Sequence, residues 1–91
     1  MSSDASRYSE GRNTGWRLIW FGPDEWVAGT FPVTRDQLLQ IRHLFDHDDD
    51  EWFALTYRVE HHHWPTLLRV LSCPEPEPRY DYFIEGYATD Q

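Results

Sequence analysis

Ninety-one residues with sixteen acids against eight bases, a formal charge of −8, make one domain without room for two cores. The charge is one-sided: residues 1–45 hold five Arg and five acids, whereas residues 46–91 hold three Arg and eleven acids and carry all of it. Such a surface repels nucleic acid phosphate and anionic lipid and attracts basic proteins, and the single cysteine, Cys73, excludes an internal disulfide.

The N-terminal stretch, residues 1–14, is Ser, Gly, Asn and charges with one Tyr, and reads as a flexible tail. It lacks the basic-then-apolar order of a signal peptide, and no apolar run approaches the roughly 18–20 residues of a membrane span. A soluble cytoplasmic protein is expected. Residues 15–88 should form a single domain, with 89–91 a flexible C-terminus.

Gly15 to Phe31 reads as a hairpin. Trp16–Phe21 and Trp26–Phe31 are rich in strand formers, and Gly22-Pro23-Asp24-Glu25 between them is turn chemistry. Pairing Phe21 with Trp26 would put Trp16, Leu18, Trp20, Val27, Gly29 and Phe31 on a core face. Arg17, Ile19, Phe21, Trp26, Ala28 and Thr30 would take the other.

Thr34 is a good helix N-cap, and Gln37 three residues on completes a capping box, with Val33 and Leu38 in the positions of a hydrophobic staple. Leu38, Ile41, Leu44 and Phe45 form one apolar stripe, so a helix is predicted from Arg35 to about Phe45. The run Asp46-His47-Asp48-Asp49-Asp50-Glu51 then opposes the helix dipole and predicts an exposed loop. Residues 52–59 read either as a strand or, preferably, as a short turn at 52–55 with extended backbone near Tyr57. Trp64, Leu67, Leu68 and Leu71 mark a second helix starting near Trp64, because Pro65 is tolerated only in a first turn. The alternating prolines from Pro74 to Pro78 favour extended geometry, and Arg79–Tyr87 reads as a final strand. The order β-β-α-α-β predicts an α+β fold, a small antiparallel sheet packed against two short helices.

The ending Arg79-Tyr80-Asp81-Tyr82-Phe83-Ile84-Glu85-Gly86-Tyr87, preceded by a hairpin and two short helices, resembles an uncharacterised family of small acidic bacterial proteins. Its members end in a similar Tyr-Asp-Tyr-Phe-Leu-Glu stretch. The likeness spans Gly15 to Tyr87, and the ending is its distinctive part. It implies no catalytic residue. By analogy with small acidic bacterial proteins in general, it points to an immunity protein that blocks a toxin.

The residues offer little catalytic chemistry. His61-His62-His63 are consecutive and would point in different directions, and His43 and His47 are a lone i, i+4 pair at a helix end, so solvated histidines are expected and no metal site. The acid run fails the calcium-loop pattern, with Glu51 and Tyr57 where Gly and Glu are required. There is no phosphate loop and no nucleophile elbow. Asp81 and Glu85 share one face of a strand, an arrangement that exposed edges carry routinely. No cofactor is expected, and no enzyme.

What remains is a binding protein, an acidic inhibitor of a basic partner, with a toxin domain as the leading candidate. Asp46, Asp48, Asp49, Asp50 and Glu51 would meet its Arg or Lys residues, Trp52 would anchor it, and Asp81 and Glu85 would extend the surface. The alternative is a nucleic-acid mimic that fills the groove of a host or phage defence enzyme; a small metal-dependent enzyme using the histidines is a third reading.

Overall fold

In the computed structural model, residues 14–46, 50, 53 and 55–89 are described. The order is β1 (Thr14–Phe21), β2 (Val27–Val33), α1 (Arg35–Ile41) with a 3-10 turn at Arg42–Leu44, β3 (Thr56–Arg58), a second 3-10 turn at His61–His63, α2 (Trp64–Leu71) and β4 (Asp81–Ala88). The strands form one antiparallel sheet in the order β2-β1-β4-β3, so the predicted final strand lies inside the sheet, hydrogen-bonded along the whole of β1. This is the expected α+β architecture, with the extended backbone at Tyr57 becoming a short edge strand. β1 begins at Thr14, one residue ahead of the expected domain start, and Thr14 pairs with Ala88. The expected tail (residues 1–13 of it) and residues 90–91 lie outside the described residues.

Alternation sorts the sheet into two faces. Trp16 and Leu18 on β1, Val33 on β2 and Tyr82 and Ile84 on β4 are buried against Leu38, Ile41, Leu67 and Leu71 of the helices, forming one core. The hairpin register differs from the simple one. Trp20 pairs with Gly29 and Phe21 with Val27, which leaves an extra β2 residue, Ala28, as a bulge. Over Trp16–Trp20 the observed pairing is offset from the expected one by two residues, so the side-chain period of two leaves Gly29 and Phe31 on the core side as expected. Trp20 is the physical reason. Its ring lies over Gly29, where a Cβ would collide with the indole. The bulge also leaves Val27 and Ala28 both exposed and, with Pro32, blunts the β2 edge against further strand pairing.

On the opposite face Ile19 is only 4% exposed, although neither helix reaches it. Its neighbours cover it: Phe21 and Phe83 meet edge-on at 5.8 Å, and Arg17 forms an ion pair with Glu85.

The helices end where local chemistry ends them. Thr34 Oγ1 accepts the Gln37 N–H at 3.1 Å while Gln37 Oε1 accepts the Thr34 N–H at 2.9 Å, the reciprocal cap that the spacing predicts. Gln37 also donates from Nε2 to the Val70 carbonyl, tying α1 to the last turn of α2. The helix tightens to 3-10 at Arg42, and Phe45 leaves it extended, with its ring in the core. α2 has Pro65 in its first turn and stops at Ser72, which takes left-handed backbone (φ 55°) and donates its N–H to the Leu68 carbonyl. Pro74 follows, and the helix cannot continue.

Two substitutions test this frame. Thr34→Ala removes the acceptor for one orphan helix N–H and should lower unfolding free energy by about 1 kcal/mol. Leu38→Ala empties a fully buried position and should cost about 2–5 kcal/mol. Urea midpoints read both; an unchanged midpoint for Leu38→Ala would mean that α1 does not pack on the sheet through this stripe.

Candidate partner-binding segment

The acid run joins α1 to β3 and is anchored on both sides by buried rings. Phe45 on one side and Phe53 on the other meet edge-on at 5.6 Å, and Phe53 stacks on Tyr57 at 4.1 Å. Phe53 has no exposed surface. Its carbonyl accepts the Trp16 indole N–H at 3.1 Å, which gives that buried donor a partner and fixes the segment to β1. Phe53 takes left-handed backbone (φ 54°), an uncommon state for an aromatic residue, and its N–H bonds the Asp50 carbonyl at 2.9 Å.

Asp50 itself is spoken for. Its Oδ2 accepts both the Leu55 N–H at 2.9 Å and the Tyr57 hydroxyl at 2.6 Å. One carboxylate thus closes the return of the chain into β3, in the manner of a side chain mimicking a turn. Leu55 then accepts the Gly86 N–H, the last tie to β4. Asp46 is exposed. Asp48, Asp49, Glu51 and Trp52 lie outside the described residues, as does His47.

Asp81 and Glu85 do share one face of β4, as their spacing predicts, but both are ion-paired. Asp81 accepts from Arg58 Nη2 at 3.0 Å and Glu85 accepts from Arg17 Nε. The same two arginines also lie over rings, Arg17 on Tyr87 at 4.9 Å and Arg58 on Phe83 at 5.6 Å. These acids are therefore part of the sheet's outer covering, each with its charge offset by an arginine.

The histidines split. His61 and His62 are exposed, as expected, whereas His63 is 4% exposed, a correction to the expectation that all three are solvated. His63 Nδ1 accepts the Glu60 N–H at 2.8 Å and its ring packs 4.5 Å from Phe45. An Nδ1 that accepts must be unprotonated, so the ring is neutral. Burial pushes its pKa below the ordinary 6.5, and His62 adds to this; a hydrogen bond to the Leu44 backbone and the charge of Glu60 oppose it. His63 thus ties the end of the α1 segment to the start of α2. Among the described residues no group of His, Cys, Asp or Glu could hold a metal ion. Burial likewise raises the pKa of the Cys73 thiol, which makes it a poor nucleophile.

The chain matches no family model, no curated protein and no solved structure. Among the described residues no helix is long and apolar enough to cross a membrane.

Sequence reasoning missed Asp50 and His63 as structural residues. The signal for Asp50 was its place before an apolar run, where Asp commonly hydrogen-bonds backbone a few residues on. For His63 it was the position at the head of a helix behind Glu60.

Asp50→Ala should leave the Tyr57 hydroxyl and Leu55 N–H without their acceptor and cost about 1–3 kcal/mol in a urea titration. Asp46→Ala, at an exposed position, should change stability by less than about 0.5 kcal/mol. The pH dependence follows from His63. The unfolded chain takes up its proton near 6.5 and the folded chain only at lower pH. Between those two values the unfolded state binds more protons, so stability falls as pH drops through the window and is insensitive to this group above it. His63→Gln should flatten that slope. An identical slope in wild type and variant between about pH 7 and 5.5 would show that His63 titrates normally in the folded chain.

Proposed function

We propose that this chain is a small acidic protein-binding inhibitor, an immunity protein that neutralises a basic bacterial toxin domain in the cytoplasm by occluding its active surface. The observation that carries the reading is the placement of the charge. All of the −8 resides in residues 46–91, and its densest run lies in the sequence between Phe45 and Phe53, two buried rings that meet edge-on. Anchoring lowers the ordering cost of binding, because the ends of the segment are already fixed before the partner arrives. Asp46, Asp48, Asp49 and Glu51 supply the attraction and Trp52 the anchor, while Asp50 holds the segment in shape. A nucleic-acid mimic would need carboxylates repeated along an extended face. Asp81 and Glu85, the acids that would extend the patch along β4, are neutralised by Arg58 and Arg17, which favours the clustered, protein-directed reading.

The test uses association kinetics with a partner recovered by pull-down. Asp48→Asn, Asp49→Asn and Glu51→Gln together remove three charges while leaving Asp50 in place. The variant should fold as the wild type does and associate about tenfold more slowly at low salt, with a flatter salt dependence, because steering is screened over about 10 Å at 0.1 M. Trp52→Ala should act through a faster off-rate. Wild-type association by the triple variant at low salt would reduce the run to a solvated connection.

A further inference from the structure

The junction between β3 and α2 is closed by one titratable ring. His63 ends the 3-10 turn that joins the two elements, and backbone groups engage both of its ring nitrogens. Nδ1 accepts the Glu60 N–H at 2.8 Å. A neutral ring that accepts at Nδ1 carries its proton on Nε2, and that N–H is the donor to the Leu44 backbone at the end of the α1 segment.

A proton added at Nδ1 breaks one of these bonds and keeps the other. The Nε2–H bond survives, because a charged ring donates more strongly. At Nδ1 two donors would face each other across 2.8 Å, and that contact cannot persist. A replacement acceptor lies close by. The Glu60 carboxylate takes the His63 backbone N–H, so it stands beside the ring that would carry the charge.

The other groups around His63 do not offer this exchange. On its own turn His62, whose ring is 4.2 Å away, opposes the proton, and His61 is exposed. From the α1 segment Leu44 brings a carbonyl and Phe45 a ring, flanked by His43 and Asp46, both exposed. On β3, Tyr57 meets Phe45 at 6.2 Å and gives its hydroxyl to Asp50, and Arg58 is paired with Asp81. On α2, Arg69 is exposed in the last turn.

We propose that His63 is an acid-operated latch: protonation at Nδ1 moves the ring's hydrogen bond from the Glu60 amide to the Glu60 carboxylate, which frees that amide and loosens the junction of β3 with α2 while the sheet and both helices stay folded. Burial places the change below the ordinary 6.5 of histidine, so the latch is closed at neutral pH. The opening is local because the bonds on either side do not involve the ring. The Val59 N–H is held by the Tyr82 carbonyl at 2.9 Å and the His63 N–H by the Glu60 carbonyl at 3.0 Å, and Trp64, Leu67 and Leu71 keep α2 in the core. This is a change within the folded state, separate from the effect of the same group on global stability.

The test is amide hydrogen exchange and ring nitrogen shifts of the full chain between about pH 7.5 and 5, each exchange rate being referred to an unstructured amide at the same pH. At the upper end Nδ1 should be unprotonated, Nε2 protonated and the Glu60 amide protected. Through the His63 titration the protection of that amide should fall by about tenfold or more, while Val59, His63, β1 and β4 keep theirs. His63→Gln offers a neutral oxygen to the same N–H and should make protection at Glu60 independent of pH. Glu60→Gln keeps the backbone N–H and the His63 ring but removes the carboxylate, and should move the His63 titration to lower pH; it serves even if the first variant does not fold. A proton on Nδ1 at neutral pH, a Glu60 amide equally protected on both sides of the titration, a titration unmoved by Glu60→Gln, or loss of protection along the whole chain would each overturn the proposal.

Discussion

Burial of the Phe53 ring against Phe45 and Tyr57 is the constraint on which the link from α1 to β3 depends. A fully buried ring holds its neighbours close, and its carbonyl is the acceptor that the buried Trp16 indole N–H needs. Leaving either group without its partner would be costly in a core this small. With Phe53 fixed, Asp50 three residues earlier is brought to Leu55 and Tyr57, and β3 is delivered to the edge of β4. The short β3 has little pairing of its own; its position is set by what precedes it.

The acids of the chain then sort by what they meet. Asp50 sits inside the turn. Glu77, Asp81 and Glu85 meet arginines, and each of those arginines also lies over a ring: Arg79 over Tyr80, Arg58 over Phe83, Arg17 over Tyr87. On the helix-free face of the sheet the Arg17–Glu85 and Arg58–Asp81 pairs cancel charge locally, and the long arginine stems shield apolar surface such as Ile19 from water. Exposed pairs of this kind add little stability. Their consequence is electrostatic: Glu77, Asp81 and Glu85 each have an arginine partner that offsets their charge.

Features carried by local spacing were legible in the sequence. The Thr34–Gln37 cap, the Leu38–Ile41 stripe, the start of α2 at Trp64–Pro65 and the final strand all depend on residues within one or two turns of each other. Features that depend on distant partners were not. The hairpin register is offset because the Trp20 ring needs the bare backbone of Gly29, and the bulge at Ala28 absorbs the difference before the turn. His63 is buried because Phe45, eighteen residues earlier, returns to cover it. Asp50 looked like one acid among five, and only the position of Tyr57 distinguishes it. The charge asymmetry was readable in full; which acids are cancelled required the cross-strand neighbours of β4.

Amide hydrogen exchange at Phe53 and Leu55 tests most directly whether the acidic segment is held to the sheet. If Asp50 and Phe53 pin it as described, these two amides, the first on the Asp50 carbonyl and the second on its carboxylate, exchange far more slowly than unstructured amides, in step with the neighbouring strand amides. Exchange of both at the unprotected rate, while β1 and β4 remain protected, would contradict the account and make the run a loose connection between α1 and β3.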